Sequence, residues 1–164
     1  MNLYNYTKYF SHLYVITKHK YFVLRECFRR GLYWQGVVHD LSKYSFVEFL
    51  SGAKYFQHGK SSIEFEKSQK DYSLAWLNHK AKNKHHWEYW IDFRCGVVFK
   101  CPIPEKYVVE MAADMIAASK TYEKNYTPEK PYLYFKTHEK EMIMHETAKR
   151  VLENFLRENG EPKI

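Results

Sequence analysis

The chain has 164 residues, 18% of them aromatic, a net charge of +7 and a pI near 9.1. That length suits one domain with a real core, and so many rings argue against a disordered chain. The charge points either to an anionic ligand or to solvated lysine-rich faces, and no apolar run nears the roughly 20 residues of a membrane span. The amino terminus lacks the layout of a signal peptide. A cytoplasmic setting is expected, with Cys27, Cys95 and Cys101 as reduced thiols.

The first element expected is a long helix from Tyr4 to Arg30, free of Gly and Pro and stopped by Gly31. Phe10, Leu13, Leu24 and Phe28 supply apolar contacts, and Ile16, His19, Val23 and Cys27 share a face at three- and four-residue steps. His12, seven residues before His19, projects the same way and competes with it for any role as a ligand. A short helix from Tyr33 to Tyr44 carries His39 and Asp40. Ser45 with Glu48 reads as a capping box that opens a helix to about Phe56. Gln57 to Lys67 reads as a loop, and Ser68 with Asp71 as the start of a helix running from Tyr72 to about Trp90.

On that helix His79, Asn83, His86 and Trp90 line one face, with His85 turned about 100° from His86. Lys80, Lys82 and Lys84 would help an anion approach, or form a solvated basic face. Arg94 to Pro102 reads as a loop or short extended ribbon, and Pro104 with Glu105 opens a helix to about Lys120. Asp114 is the anomaly of that small, apolar stretch, because a carboxylate there must be exposed, paired or bound to a cation. Tyr122 to Lys136 reads as a loop able to act as a lid. Thr137 caps a last helix to Asn159, closed by Gly160 and Pro162 and packed through Ile143, Val151, Leu152, Phe155 and Leu156. His138 and His145 are expected at the surface or in packing. The sum is an all-α, single-domain bundle of about six helices over residues 1–164.

Two adjacent groups of metal-ligand type, His39-Asp40, stand directly behind the apolar Val37-Val38. Imidazole suits zinc, iron and similar divalent ions, while carboxylate suits harder ions and can bridge two of them. The ordered set His19, His39-Asp40, Asp114, spread over separate helices, resembles the HD-domain superfamily of metal-dependent phosphohydrolases. Its binuclear branch, which cleaves cyclic dinucleotides, adds a His and a His-His pair, matched here by His79 and His85-His86, and a phosphate-facing lysine matched by Lys43. The segment after His86 runs Trp87-Glu88-Tyr89-Trp90 instead of that branch's Gly-Tyr-Pro, and no Glu stands four residues before His19.

The resemblance implies that His19, His39, Asp40 and Asp114 bind a first divalent ion. Asp40 bridges to a second ion held by His79, His85 and His86, with either or both of the adjacent histidines as ligands. Manganese, iron, zinc, cobalt and magnesium all remain open. A phosphoester is anionic and repels hydroxide, and a divalent ion both neutralises its oxygens and lowers the pKa of bound water to about 7. Lys43 would contact the phosphate during catalysis with Asp40, and Lys80 would assist substrate binding. The expected substrate is a nucleotide or related small phosphoester. Two other readings fit the residues: oxygen chemistry at two irons on the same scaffold, and a metal-independent nucleic-acid binder that uses basic residues with stacking rings.

Overall fold

With no Gly or Pro in the first thirty residues, one helix runs unbroken: α1 spans Leu3–Phe28, and Gly31 turns the chain at φ +74°. The computed structural model describes residues 3–160, so Pro162 lies outside the described residues. α2 (Tyr33–Val38) folds back on α1, and Gly36 makes the approach possible, since a Cβ there would sit 3.0 Å from Cys27 Cβ. A 3-10 turn over Leu41–Tyr44 leads to α3 (Phe46–Lys54), then α4 (Ser62–Lys70) and α5 (Leu74–Lys82). A second 3-10 turn, Trp87–Trp90, feeds a hairpin of β1 (Ile91–Arg94) and β2 (Val97–Lys100), antiparallel with Ile91 opposite Lys100. Its two-residue turn uses Cys95 and Gly96, both at positive φ, as such turns require. α6 (Glu105–Tyr122), α7 (Lys130–His138) and α8 (Glu146–Gly160) complete the described chain.

The result is one helical domain, with eight α-helices among the described residues instead of about six and a small hairpin where a ribbon was expected. α6 is the spine. One side packs on α7 and α8 through Val108, Ile116, Phe135, Met144, Leu152 and Leu156. The other side meets α1 where Ala113 and Ala117 lie against Val23 and Cys27, small side chains that let the two axes come close. Buried Glu26 of α1 adds a polar clamp, taking Lys120 of α6 at 2.7 Å and Arg30 at 2.7 Å. No helix among the described residues is long and apolar enough to cross a membrane.

Several expected boundaries move, each for a local reason. Much of the loop read at Gln57 to Lys67 is α4, capped by Ser61, and Asp71 ends that helix at φ +65° rather than starting the next. α5 begins after Ser73, whose hydroxyl accepts the Trp76 N–H, and stops at Asn83 instead of running to Trp90. The Asn83 side chain donates to the His79 carbonyl at 2.7 Å, a local bond that competes with continuing the helix. The expected loop Tyr122 to Lys136 contains the start of α7, with Pro131 in its first turn. Thr137 lies inside α7 and donates to the Leu133 carbonyl, so α8 begins only at Glu146. Ile143 is 43% exposed and Phe10 is 70% exposed, while Leu13 and Phe28 also face outward, so none of these four is core.

Leu152 is fully buried in the α6–α8 seam. Leu152→Ala should therefore cost about 3 kcal/mol, read as a lower denaturant midpoint at unchanged slope. Ile143→Ala, at the exposed position, should cost about 0.5 kcal/mol or less in the same measurement.

Candidate metal centre

α2 cannot continue past Val38, because His39 turns extended and Asp40 takes the left-handed conformation at φ +53°. Asp is among the few residues that visit this region readily. The break, where a continuous helix was expected, turns both side chains inward. Lys20 of α1 secures it by donating to the carbonyls of Val37 (2.8 Å) and His39 (2.7 Å). His19 comes from α1, His79 from the last turn of α5, His85 and His86 from the connection after it, and Asp114 from the middle of α6.

These residues fall into two groups that share Asp40, each with ligand atoms within 4.8 Å of one another. The first is His19, His39, Asp40 and Asp114; the second is Asp40, His79, His85 and His86. Asp40 divides its oxygens between them. Oδ2 faces His39 Nε2 at 3.1 Å and His19 Nε2 at 3.8 Å. Oδ1 faces His79 Nε2 at 3.2 Å and His85 Nε2 at 3.3 Å. Asp114 Oδ1 lies 2.8 Å from His19 Nε2 and 3.4 Å from His39 Nε2. Asp40 Oδ1 and the Nε2 atoms of His39, His85 and His86 are buried without a hydrogen bond, and Oδ2 is paired with the Lys43 ammonium. Inward-facing donors of this kind fit a divalent cation, since buried polar atoms are otherwise paired.

Two carboxylates absent from the sequence reading as site residues hold the imidazoles from behind. Glu110 Oε1 takes His39 Nδ1 at 2.9 Å and faces His85 Nδ1 at 3.2 Å, so one oxygen orients a histidine from each group. Glu48 Oε2 takes His79 Nδ1 at 2.8 Å, and its other oxygen accepts from Asn78 at 2.6 Å. Carboxylates on Nδ1 fix the tautomer and leave Nε2 for a cation. The capping box assigned to Ser45 and Glu48 does not form: Ser45 makes no side-chain cap bond, and Glu48 points to His79 instead. For Glu110 a signal existed, a carboxylate four residues before Asp114 and hence on its face of α6.

Burial pushes the His39 imidazole down, but Asp40, Asp114 and Glu110 outweigh it and hold its pKa well above the usual value. His79 is raised in the same way, burial being overcome by Asp40 and Glu48. Asp40 and Asp114 are held well below the carboxylate range: burial opposes this, and the surrounding histidines, with Lys43 at Asp40, prevail. His86 is pushed well down by burial and by His85 and His79.

Lys43 Nζ lies 2.5 Å from Asp40 Oδ2, on the edge of a cavity of about 70 Å³ that also touches His12, His19, His79 and Tyr122. His12 therefore lies beside the two groups rather than in either of them. Lys80 does not line the cavity, and its charge acts on Glu88. The adjacent His85 and His86 both reach the second group, because they sit on an irregular connection and not on one helix.

Residues 8–158 match the model of DUF5662, a family of unknown function. The chain belongs to that family. No curated protein and no solved structure matches it. The span matching DUF5662 includes every residue of both groups, Glu48, Glu110 and the cavity wall.

In this DUF5662 chain His39 and His79 titrate above their usual value, so without metal they hold protons to higher pH than a free imidazole does. A cation needs those lone pairs, so binding must release protons and tighten as pH rises through neutrality. Calorimetry of manganese binding in two buffers of different ionisation heat should show that release. Glu110→Gln should weaken manganese binding about 10- to 100-fold, measured in the same titration.

Proposed function

We propose that this protein is a metal-dependent phosphohydrolase acting on a small anionic phosphoester, with a centre like that of the HD-domain superfamily. One observation carries the reading: Asp40 is buried with each of its oxygens turned to a different histidine group. A carboxylate so placed is suited to lie between two cations. Three imidazoles in one group and a mixed set in the other favour manganese, iron, zinc or cobalt over magnesium, which prefers oxygen ligands.

When bound, divalent metal supplies charge to neutralise phosphoryl oxygens and an activated water at neutral pH. The chain's own residues do the rest. Glu110 and Glu48 keep the Nε2 lone pairs of His39, His85 and His79 turned inward. Lys43, whose ammonium stands between Asp40 and the cavity, would turn to the oxygens of a phosphoryl group and stabilise the charge that builds there. Low exposure around Asp40 excludes bulk water and strengthens each of these contacts.

The same donor set also suits two irons and oxygen chemistry, a second reading favoured by the shared carboxylate. Binding of nucleic acid has less support. Many of the interleaved lysines lie over the protein's own rings, such as Lys67 over Trp76 at 5.4 Å and Lys106 over Tyr107 at 5.0 Å.

The test compares wild type with Asp40→Ala for metal content by mass spectrometry and for hydrolysis of a phosphoester panel. Wild type should carry metal and hydrolyse at least one ester, and the variant should lose both. Metal and activity retained by Asp40→Ala would sink the proposal. A coloured protein with an absorption band and no hydrolysis would favour oxygen chemistry.

A further inference from the structure

We infer that the cavity beside Lys43 is a binding site for one phosphate-sized oxyanion, with the His12 imidazole and the first turn of α4 as donors. The reaction it serves rests on the function proposed above, whereas the binding itself does not. His12 is only 7% exposed and has no hydrogen-bond partner among the described residues. Phe49 and Phe56 flank its ring, with centroids at 5.5 and 6.0 Å. Burial, then the Lys43 charge, lowers its pKa to about 4, so it is a neutral imidazole with one N–H to donate. On the cavity wall, with no side-chain partner among the described residues, that N–H is open to a ligand that accepts it.

The position is also specifically accommodated. Gly52 lines the same cavity, and a Cβ on it would stand 2.3 Å from His12 Nε2 and 2.5 Å from Cε1. The ring therefore occupies the space that any larger residue would take. Across the cavity stand Ser61, Ser62 and Ile63, the cap and first residues of the nine-residue α4. Their early N–H groups have no intrahelical acceptor and lie at the positive end of the helix dipole. Lys43, paired with Asp40, also stands on this wall. The one carboxylate on the wall, Glu48, is engaged by His79, Asn78 and Ser42. The N–H groups of His12 and of the first turn of α4 thus share a wall whose one carboxylate is already engaged, which is the chemistry of an anion site.

Size then limits the ligand. A cavity of about 70 Å³ has room for several waters, each needing about 10–15 Å³, but is well under the roughly 150 Å³ that takes a benzene ring, so it admits a phosphoryl group and not a base. The substrate class is a compact or terminal phosphate monoester whose organic part stays outside the cavity.

The probe is inorganic phosphate, titrated calorimetrically into the manganese-loaded and metal-free protein. His12→Ala and Gly52→Ala should each weaken phosphate binding at least tenfold while manganese content stays at the wild-type level. The double variant should be no worse than His12→Ala alone, because the added methyl then meets no ring. His12→Asn, which keeps a donor, should recover part of the affinity and covers the case in which His12→Ala fails to fold. Methyl phosphate should compete with phosphate, and adenosine should not. Wild-type affinity in His12→Ala and Gly52→Ala, no phosphate binding by wild type, or competition by adenosine would overturn the inference. Absence of manganese from wild type would instead remove the proposed function, with the metal-free titration still deciding the oxyanion site.

Discussion

A carboxylate 2% exposed, with imidazoles and one ammonium turned to its oxygens, is the constraint to which the rest of this structure answers. Burying a charge in this way costs several kcal/mol unless opposite charge surrounds it. Four imidazoles and one ammonium do so at Asp40, drawn from α1, the break after α2, α5, the connection beyond it and the 3-10 turn before α3. Every one of those elements must be in place for the cost to be met. The centre and the fold are thus one interaction seen at two scales.

α6 sets the precision of that arrangement. Glu110 and Asp114 lie one turn apart on it, so a single rigid element presents both a group that orients imidazoles and a group that joins them. On the neighbouring strip Ala113 and Ala117 admit Val23 and Cys27 of α1, and His19 lies on the same stripe of α1 one turn earlier. The close helix approach and the 2.8 Å contact from His19 to Asp114 are therefore consequences of the same packing. The Glu26 to Lys120 pair extends the seam toward the far end of both helices.

Charge is handled differently inside and outside. Inside, cationic and anionic groups alternate around Asp40 and shift one another's protonation. Outside, the surplus of basic residues is laid largely over neighbouring rings and carboxylates, as with Lys70 over Tyr55 and beside Glu66. The net charge of +7 consequently says less about a partner than its size suggests. The cavity at Lys43 is where a half-buried positive charge meets open space.

Read alone, the sequence determined that the chain is helical and which histidines and aspartates were candidates to gather, because both are written locally. Helix periodicity, Gly31 after α1 and the His39-Asp40 pair need only near neighbours to be recognised, and the ordered set ending at Asp114 was legible from residue type and spacing. Only the tertiary structure decided that Asp40 would divide its oxygens, that Glu110 and Glu48 would hold histidines, that His12 would stand beside the centre, and that the helices would break at His39 and Asn83. Those outcomes depend on contacts such as His19 to Asp114 and His39 to Glu110, between residues 95 and 71 positions apart. A buried carboxylate takes its role from whichever group packing brings to it, and a local pattern holds no record of that encounter.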